Sequence, residues 1–258
     1  MRTVICHYHI YKNSGTTFDS ILKDNFGDGH ISFDGPFPYF SINQEELTKI
    51  IERHPSASAF SSHQTYLPSP KGLDFRVVSV VFVRHPLLRI KSIYNFKKKH
   101  FDGTKASSLA REFNFRNWIE NLIEDRVEIN HINNAQARIL SRDSRSSVPR
   151  QTKKGKCKSF NLNQALSNLN DVELLARTEY FSSDVSKFSP ILKSFGIDFK
   201  VSDFSPKNVT EHNLLPVSQR LELLEEQLTE KLYKQLIELN WQDLEIYDYV
   251  SKRLSQER

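Results

Sequence analysis

A short polar segment near the start of the sequence has the residue types of an anion-binding loop. Ser14 and Gly15 are small enough for the backbone to approach a ligand closely. Thr16 and Thr17 add hydroxyl donors, and Lys12 adds a positive charge. A helix that begins within such a loop presents unpaired backbone N–H groups and a partial positive charge. The segment His9 to Thr17 therefore predicts a phosphate site.

The position of the lysine separates this segment from the loop of nucleotide triphosphatases. The triphosphatase motif, G-x-x-x-x-G-K-[ST], places lysine directly before Ser/Thr, whereas Lys12 precedes Gly15 by three positions. The second difference is Arg84, which ends an apolar run where a triphosphatase would carry a magnesium-binding aspartate. Because arginine binds anions and not metal ions, the sequence predicts a site that needs no metal.

Two strand-loop-helix units would position these residues. The β-branched and aromatic run from Thr3 to Ile10 predicts a strand, and Thr16 to Leu22 has helical spacing. The run Arg76 to Val83, RVVSVVFV, is typical of a central strand that is covered on both faces. Pro86 suits the first position of a helix that ends in Lys97-Lys98-Lys99-His100, where cations complement the helix dipole.

The rest of the chain continues the alternation of strands and helices. We predict strands over 58–63 and 172–176, a helix over Gln44 to Arg53 started by Ser41 or Asn43, and helices over 113–125, 133–140, 183–195 and 217–239. Leucines 221, 224, 228, 232, 236 and 239 share one face of the last helix and predict core packing. Strands separated by helices indicate an α/β fold with a parallel sheet in three layers.

Size and composition limit the class of protein. With 258 residues, 38% of them hydrophobic, the chain can bury one sizeable core, and we expect a single domain over 1–258. Neither a signal peptide nor a membrane span is expected. Cys6 and Cys157 are too few for a disulfide framework or a cysteine metal site, so we expect a cytoplasmic protein. The polar, basic stretch 141–159 is expected to be a mobile loop.

Two separated motifs resemble those of sulfotransferases that use 3′-phosphoadenosine-5′-phosphosulfate (PAPS), especially the carbohydrate sulfotransferases of the heparan and chondroitin type. The segment HIYKNSGTTF, residues 9–18, resembles the family's 5′-phosphosulfate loop. Arg84 and Ser92 resemble its 3′-phosphate motif, an arginine followed eight positions later by a serine. Segments that start at Asn133, Ala176 and Asn240 look like further family features, so the resemblance spans nearly the whole chain.

The resemblance implies a P-loop nucleotide hydrolase-like sulfotransferase fold. It also implies transfer of a sulfuryl group from PAPS, without a metal, to an acceptor hydroxyl, with a carbohydrate as the preferred acceptor. Arg84 at a strand end and Ser92 about two turns into the next helix could face one 3′-phosphate. The residues that the resemblance assigns to the donor are Lys12, Asn13, Ser14, Gly15, Thr16, Thr17, Arg84 and Ser92.

The resemblance also suggests catalytic roles. Lys12 would stabilise the leaving oxygen, and His63 would be the base, because a histidine follows a short strand at this place in related carbohydrate sulfotransferases. His7, His9 and His85 are rival bases. On this basis Lys12→Ala and His63→Ala should fold normally and lose transfer, whereas Arg84→Ala should mainly weaken nucleotide binding. Three further residues, Gln136, Arg138 and Glu179, lie in family-like segments without an assigned role, and Arg89 is expected to hold structure.

Other interpretations of the same residues remain open. The loop could be an ordinary strand-to-helix turn capped by Ser14 or Thr16, and His63 could be a merely hydrogen-bonded histidine. A P-loop kinase with a divergent anion loop predicts turnover of ATP with magnesium. A basic nucleic-acid-binding module predicts salt-dependent binding that Lys12→Ala leaves unchanged. The sequence departs from the family pattern at two places, namely His85 after the arginine and Asn13-Ser14 in the loop. Neither departure removes an anion-binding group.

Overall fold

The protein is built around one sheet of five parallel strands. The computed structural model describes residues 1–35, 41–72, 74–126, 128–145, 161–201 and 215–256. The strands lie in the order β2-β3-β1-β4-β5, and every neighbouring pair is parallel. Their bounds are β1 Arg2–Tyr8, β2 His30–Ser32, β3 Ala59–Ser62, β4 Phe75–Val83 and β5 Leu174–Arg177.

Twelve helices lie within the described ranges, together with three short 3₁₀ turns. The helices are α1 Gly15–Phe26, α2 Gln44–Arg53, α3 Pro86–Lys99, α4 Lys105–Glu112, α5 Phe115–Glu124, α6 Ala135–Leu140, α7 Leu162–Asn170, α8 Phe181–Val185, α9 Phe188–Ser194, α10 Val217–Glu225, α11 Glu230–Leu239 and α12 Trp241–Gln256. None of the helices in these ranges combines the length and the apolar composition needed to cross a bilayer.

Side chains alternate between the two faces of the sheet and bury a separate core on each. Val4 and Cys6 of β1 join the core that contains residues of α2, α6, α7 and α12. Ile5 joins the opposite core, with residues of α1, α8 and α9. This alternation is a property of the extended backbone, in which successive Cβ atoms point to opposite faces. The predicted three-layer, parallel α/β arrangement is therefore confirmed.

A third apolar cluster lies among the helices that follow β4. It joins α3, α4, α5, α10 and α11 around Trp118, which is fully buried and donates its indole N–H to the carbonyl oxygen of Ala106 at 2.9 Å. This cluster anchors α3, which begins at Pro86, two residues after Arg84. The position of Arg84 is thus fixed by the sheet on one side and by this helical cluster on the other.

Several local predictions agree with the structure. The helix at 44–53 begins with a capping box, in which Asn43 accepts a hydrogen bond from the backbone N–H of Glu46 and the Glu46 carboxylate accepts one from that of Asn43. Pro86 occupies the first turn of α3, and the last turn carries Lys97, Lys98 and Lys99.

Two helix predictions were wrong in extent. The region 217–239 is two helices, because Thr229 accepts a hydrogen bond from the N–H of Leu232 and starts α11 anew. The region 183–195 is also interrupted, between α8 and α9. Four elements were not predicted, namely β2, α4, α7 and α12.

The predicted mobile loop falls mainly on 146–160, which lie outside the described residues, as does Cys157.

Candidate anion-binding and catalytic site

The predicted site residues follow three adjacent strands. In the register of the sheet, Tyr8 at the end of β1 pairs with Ser62 at the end of β3, and β4 lies on the other side of β1. Since parallel strands end at the same edge, the loop after β1 lies between His63 and Arg84. The carboxyl edge of a parallel sheet is where open α/β folds bind ligands.

The loop after β1 enters α1 through two residues in the left-handed region. Lys12 has φ 66° and Ser14 has φ 64°, which is uncommon for residues other than glycine. Ser14 is the N-cap of α1 but makes no side-chain capping bond, so capping by Ser14 does not explain this turn. In the described part of the chain, the backbone N–H groups of Ser14, Gly15 and Thr16 find no hydrogen-bond acceptor. They are therefore available to an anion.

Two arginines fix the outer side of this loop. Nη1 of Arg84 donates to the carbonyl oxygen of Lys12 at 2.9 Å, and Nε of Arg89 donates to that of Tyr11 at 3.0 Å. Both arginines are buried. The expected structural role of Arg89 is thus seen directly, and Arg84 shares that role. Guanidinium groups thus hold two carbonyl groups of the loop, which leaves the unpaired amides that follow for a ligand.

Gln136 of α6 links the loop to the end of β4. Its Oε1 accepts hydrogen bonds from Nδ2 of Asn13 at 2.7 Å and from the backbone N–H of Arg84 at 2.9 Å. Its Nε2 donates to the carbonyl oxygen of Arg84 at 2.8 Å. Gln136 is completely buried, so these bonds are made away from water. The sequence singled out Gln136 without a role, and its contacts indicate that it positions the loop.

Asp243 of α12 holds Gln136 in turn. Its carboxylate accepts the backbone N–H groups of Gln136 at 3.0 Å and of Ala137 at 2.7 Å, at the start of α6. A carboxylate at a helix N-terminus is favoured by the helix dipole, although burial raises the pKa of Asp243. The family-like segment at Asn240 therefore contributes to the site through α6.

Arg84 also forms a buried ion pair. Its Nε lies 3.7 Å from Oε1 of Glu179, whose side chain is completely inaccessible to solvent. Burial lowers the pKa of Arg84 to about 10 and raises that of Glu179, while each charge opposes the shift of the other. Arg84 remains a cation at neutral pH. Its Nη2 has no hydrogen-bond partner among the described residues and stays available to a ligand.

Ser92 lies half-buried on α3. Its hydroxyl makes no hydrogen bond to any described residue, Arg84 included. Arg138 lies in α6 and donates from Nη2 to the carbonyl oxygen of Asn133 at 3.0 Å. The structure therefore gives Arg138 a local structural contact and leaves the hydroxyl of Ser92 open to a ligand.

The ammonium group of Lys12 packs over an aromatic ring. Its Nζ lies 4.3 Å from the centroid of the Phe96 ring, on α3. Partial burial, followed by the charges of Arg84 and Arg89, lowers the pKa of Lys12 to about 8. Lys12 is thus charged at neutral pH but loses its proton more readily than an ordinary lysine.

One ring nitrogen of His63, Nε2, has no hydrogen-bond partner among the described residues. Its Nδ1 lies 2.9 Å from the carbonyl oxygen of His9. Because a carbonyl only accepts, Nδ1 carries the proton and Nε2 of the neutral ring carries the lone pair. The residue is exposed, and its backbone N–H donates to Oδ1 of Asp34 at 3.0 Å. Desolvation where the rings of His63 and His9 meet lowers the pKa of His63, so the neutral form dominates at pH 7.

The rival histidines are less accessible. His7 is buried, with Nδ1 2.8 Å from Oδ1 of Asp19, and His9 has Nδ1 3.2 Å from Oδ2 of the same carboxylate. His85 is the N-cap of α3, and burial lowers its pKa to about 4. Asp19 was missed by sequence reasoning. It lies four positions after Gly15, one helical turn into α1. This spacing from the loop was the sequence signal that could have identified Asp19.

His7, His9 and Asp19 are also close enough together to be considered as metal ligands. Their ligand atoms all lie within 4.8 Å of one another. Each carboxylate oxygen of Asp19 is, however, within hydrogen-bond distance of one ring nitrogen, at 2.8 and 3.2 Å. One ring nitrogen can therefore donate to each oxygen, so hydrogen bonding accounts for the arrangement.

Comparison with known proteins covers almost the entire chain. A family model described as "Sulfotransferase family" matches residues 2–250, which include every element from β1 to most of α12. An uncharacterized protein of Archaeoglobus fulgidus is 29% identical over 257 residues, covering 96% of this chain and 96% of the relative.

Proposed function

Because the chain belongs to the sulfotransferase family, we propose that it transfers the sulfuryl group of PAPS to an acceptor hydroxyl, with a carbohydrate as the acceptor. The observation that carries this proposal is the juxtaposition of two features at one sheet edge. Unpaired amides at the start of α1 lie in the loop after β1, and the bare Nε2 of His63 follows the adjacent strand β3. The first feature suits the donor, and the second suits the acceptor.

The donor would bind along the carboxyl edge of β1 and β4. The amides of Ser14, Gly15 and Thr16 would hold the 5′-phosphosulfate, assisted by the hydroxyls of Thr16 and Thr17. Nη2 of Arg84 and the hydroxyl of Ser92 would hold the 3′-phosphate, which is supported by their lack of other partners in the described part of the chain. Asn13 would act indirectly, since both of its amide N–H bonds are directed to Phe82 and Gln136.

The proposed transfer forms one bond to sulfur and breaks another. The acceptor oxygen attacks sulfur in line with the leaving phosphate oxygen, and its proton passes to Nε2 of His63. The bond between sulfur and the phosphate oxygen breaks, and negative charge grows on that oxygen. Lys12 and the loop amides stabilise this charge. The products are a sulfate ester, 3′-phosphoadenosine 5′-phosphate and the proton held by His63.

Nucleotide selectivity separates this proposal from a kinase. By isothermal titration calorimetry without metal, we expect 3′-phosphoadenosine 5′-phosphate to bind at least about 100-fold more tightly than adenosine 5′-phosphate, because the 3′-phosphate adds charge-assisted contacts. Magnesium should leave this affinity unchanged, and ATP should not be turned over. Preferential binding and hydrolysis of ATP with magnesium would instead favour the kinase.

A separate experiment tests the acceptor. A panel of glycans is incubated with the protein and a labelled-sulfate donor, and transfer of the label to a glycan is measured.

The lowered pKa of Lys12 predicts pH-dependent donor binding. The ammonium form favours the anion, so affinity should be highest below the pKa of about 8 and should decrease as pH rises through it. If only the charged form binds, the association constant for 3′-phosphoadenosine 5′-phosphate should fall about tenfold between pH 7 and 9. Lys12→Arg keeps its charge and should remove this dependence. Lys12→Ala should bind weakly at both pH values and transfer about 100- to 1,000-fold more slowly.

A further inference from the structure

A chain of contacts connects α1 to the face of His63. Asp19 of α1 is in contact with Nδ1 of both His7 and His9. The ring of His9 meets the ring of His63, with centroids 3.8 Å apart and an interplanar angle of 32°. The backbone carbonyl of His9 accepts the Nδ1 proton of His63. His9 therefore contacts His63 twice, once with its ring and once with its backbone.

The position of the His9 ring is tightly determined. Its other edge lies against Gly15, where an added Cβ would come within 2.0 Å of Cδ2 and Nε2. On its far face lies His7, with ring centroids 4.9 Å apart. With Asp19 at Nδ1, Gly15 at the opposite edge and His7 on one face, the ring leaves the remaining face to His63.

From these contacts we propose that Asp19 and His9 are positioning residues for His63, holding it in the tautomer and orientation that leave Nε2 free to accept a proton. The inference rests on the assignment of His63 as the base in the proposed transfer. Asp19 touches neither substrate in this scheme and acts only through His9. Asp34 contributes separately, because its Oδ1 accepts both the backbone N–H of His63 and the hydroxyl proton of Ser62 at 2.8 Å.

Two variants test this role. Asp19→Asn replaces one acceptor oxygen by an NH₂ group that cannot accept, so the two histidine N–H groups can no longer both be satisfied. His9→Phe keeps the ring face and the backbone carbonyl but loses the bond to Asp19. We expect each to lower kcat about 10- to 100-fold, as for other groups that orient a functional histidine. The KM values for donor and acceptor should change less than about twofold.

The matched control is Asp24→Asn, because Asp24 is an exposed aspartate of the same helix. It should leave kcat unchanged. If Asp19→Asn fails to fold, His9→Phe decides the matter. Unchanged kcat in both variants, or a loss that appears in KM and leaves kcat intact, would overturn the proposal.

A spectroscopic measurement tests the orientation without any turnover. In ¹H–¹⁵N correlation spectra of the histidine rings, His63 of the unaltered protein should show the tautomer with a proton on Nδ1. Asp19→Asn should mix the two tautomers of His63, and Asp24→Asn should not. A proton on Nε2 in the unaltered protein would overturn the positioning role. Full turnover by His63→Ala would overturn the base assignment, so the two failures are distinguishable.

Discussion

His63→Ala should lose about 100- to 10,000-fold of the transfer rate while binding 3′-phosphoadenosine 5′-phosphate as tightly as the unaltered protein. This range is what a positioned general base typically contributes. His63 is exposed, and its own hydrogen bonds go to one backbone carbonyl and, from its backbone, to Asp34. Truncation therefore removes the proton acceptor without opening a cavity in the core.

The measurement is the initial rate of labelled-sulfate transfer, together with calorimetric titration of the nucleotide. His54→Ala is a matched control, because His54 also directs Nδ1 to a backbone carbonyl, that of Ile50 at 2.8 Å, but lies at the end of α2 before β3 begins. This control should retain full activity. If His63→Ala turned over at the normal rate, another group would have to be the base.

The pKa of His63 adds a pH criterion to this prediction. Because its pKa is lowered, the ring is already neutral at pH 7, and the rate should stay level from pH 7 upward until Lys12 loses its charge. On the acid side, the rate should fall only below the ordinary pKa of histidine, where His63 gains a proton. His63→Ala should lose this acid-side fall together with its rate.

Arg84→Ala should destabilise the protein as well as weaken donor binding. The substitution leaves the carboxylate of Glu179, which is completely inaccessible to solvent, without its partner, and breaking a buried ion pair in this way commonly costs about 3–5 kcal/mol. It also removes the hydrogen bond to the carbonyl oxygen of Lys12. The sequence predicted an effect mainly on nucleotide binding, and the ion pair adds a large effect on folding.

Urea denaturation measures the first effect, and a second substitution isolates its cause. In the Arg84→Ala background, Glu179→Gln removes the uncompensated charge and should recover a large part of the lost free energy of unfolding. As a control, Arg116→Ala breaks an exposed pair with Glu120 and should cost less than about 1 kcal/mol. Equal stabilities of Arg84→Ala and the control would argue against a structural role of the ion pair.

Local sequence signals predicted the elements that carry the loop and the arginine. The valine-rich run became β4, Pro86 began α3, and Asn43 capped α2. The long helix over 217–239 failed for a physical reason, since the leucine spacing continues in phase across the break and only the capping bond of Thr229 marks the new start. Hydrophobic periodicity does not detect a break that preserves the apolar face.

The interactions that hold the site together were beyond the reach of local patterns. Asn13 and Gln136 are 123 positions apart, and their contact exists only because α6 packs beside the sheet. Glu179 meets Arg84 because β5 lies next to β4. A resemblance could mark these residues as members of family-like segments, but a single sequence contains no signal that pairs them. The same holds for the pairing of Asp19 with His7 of β1 and His9 of the loop after it.

The link from Asp243 through Gln136 to Asn13 and Arg84 has a consequence for biosynthesis. The loop of residues 9–17 leaves the ribosome early, yet the glutamine that joins it to β4 is held by a carboxylate of α12. A nascent chain can pair β1 with β3 and β4 long before α12 has been made. It cannot complete the proposed anion site until residue 243 has emerged and α12 has docked. Under the proposed function, partly synthesised chains should therefore bind the nucleotide weakly, and tight binding should begin only in chains that have folded through α12.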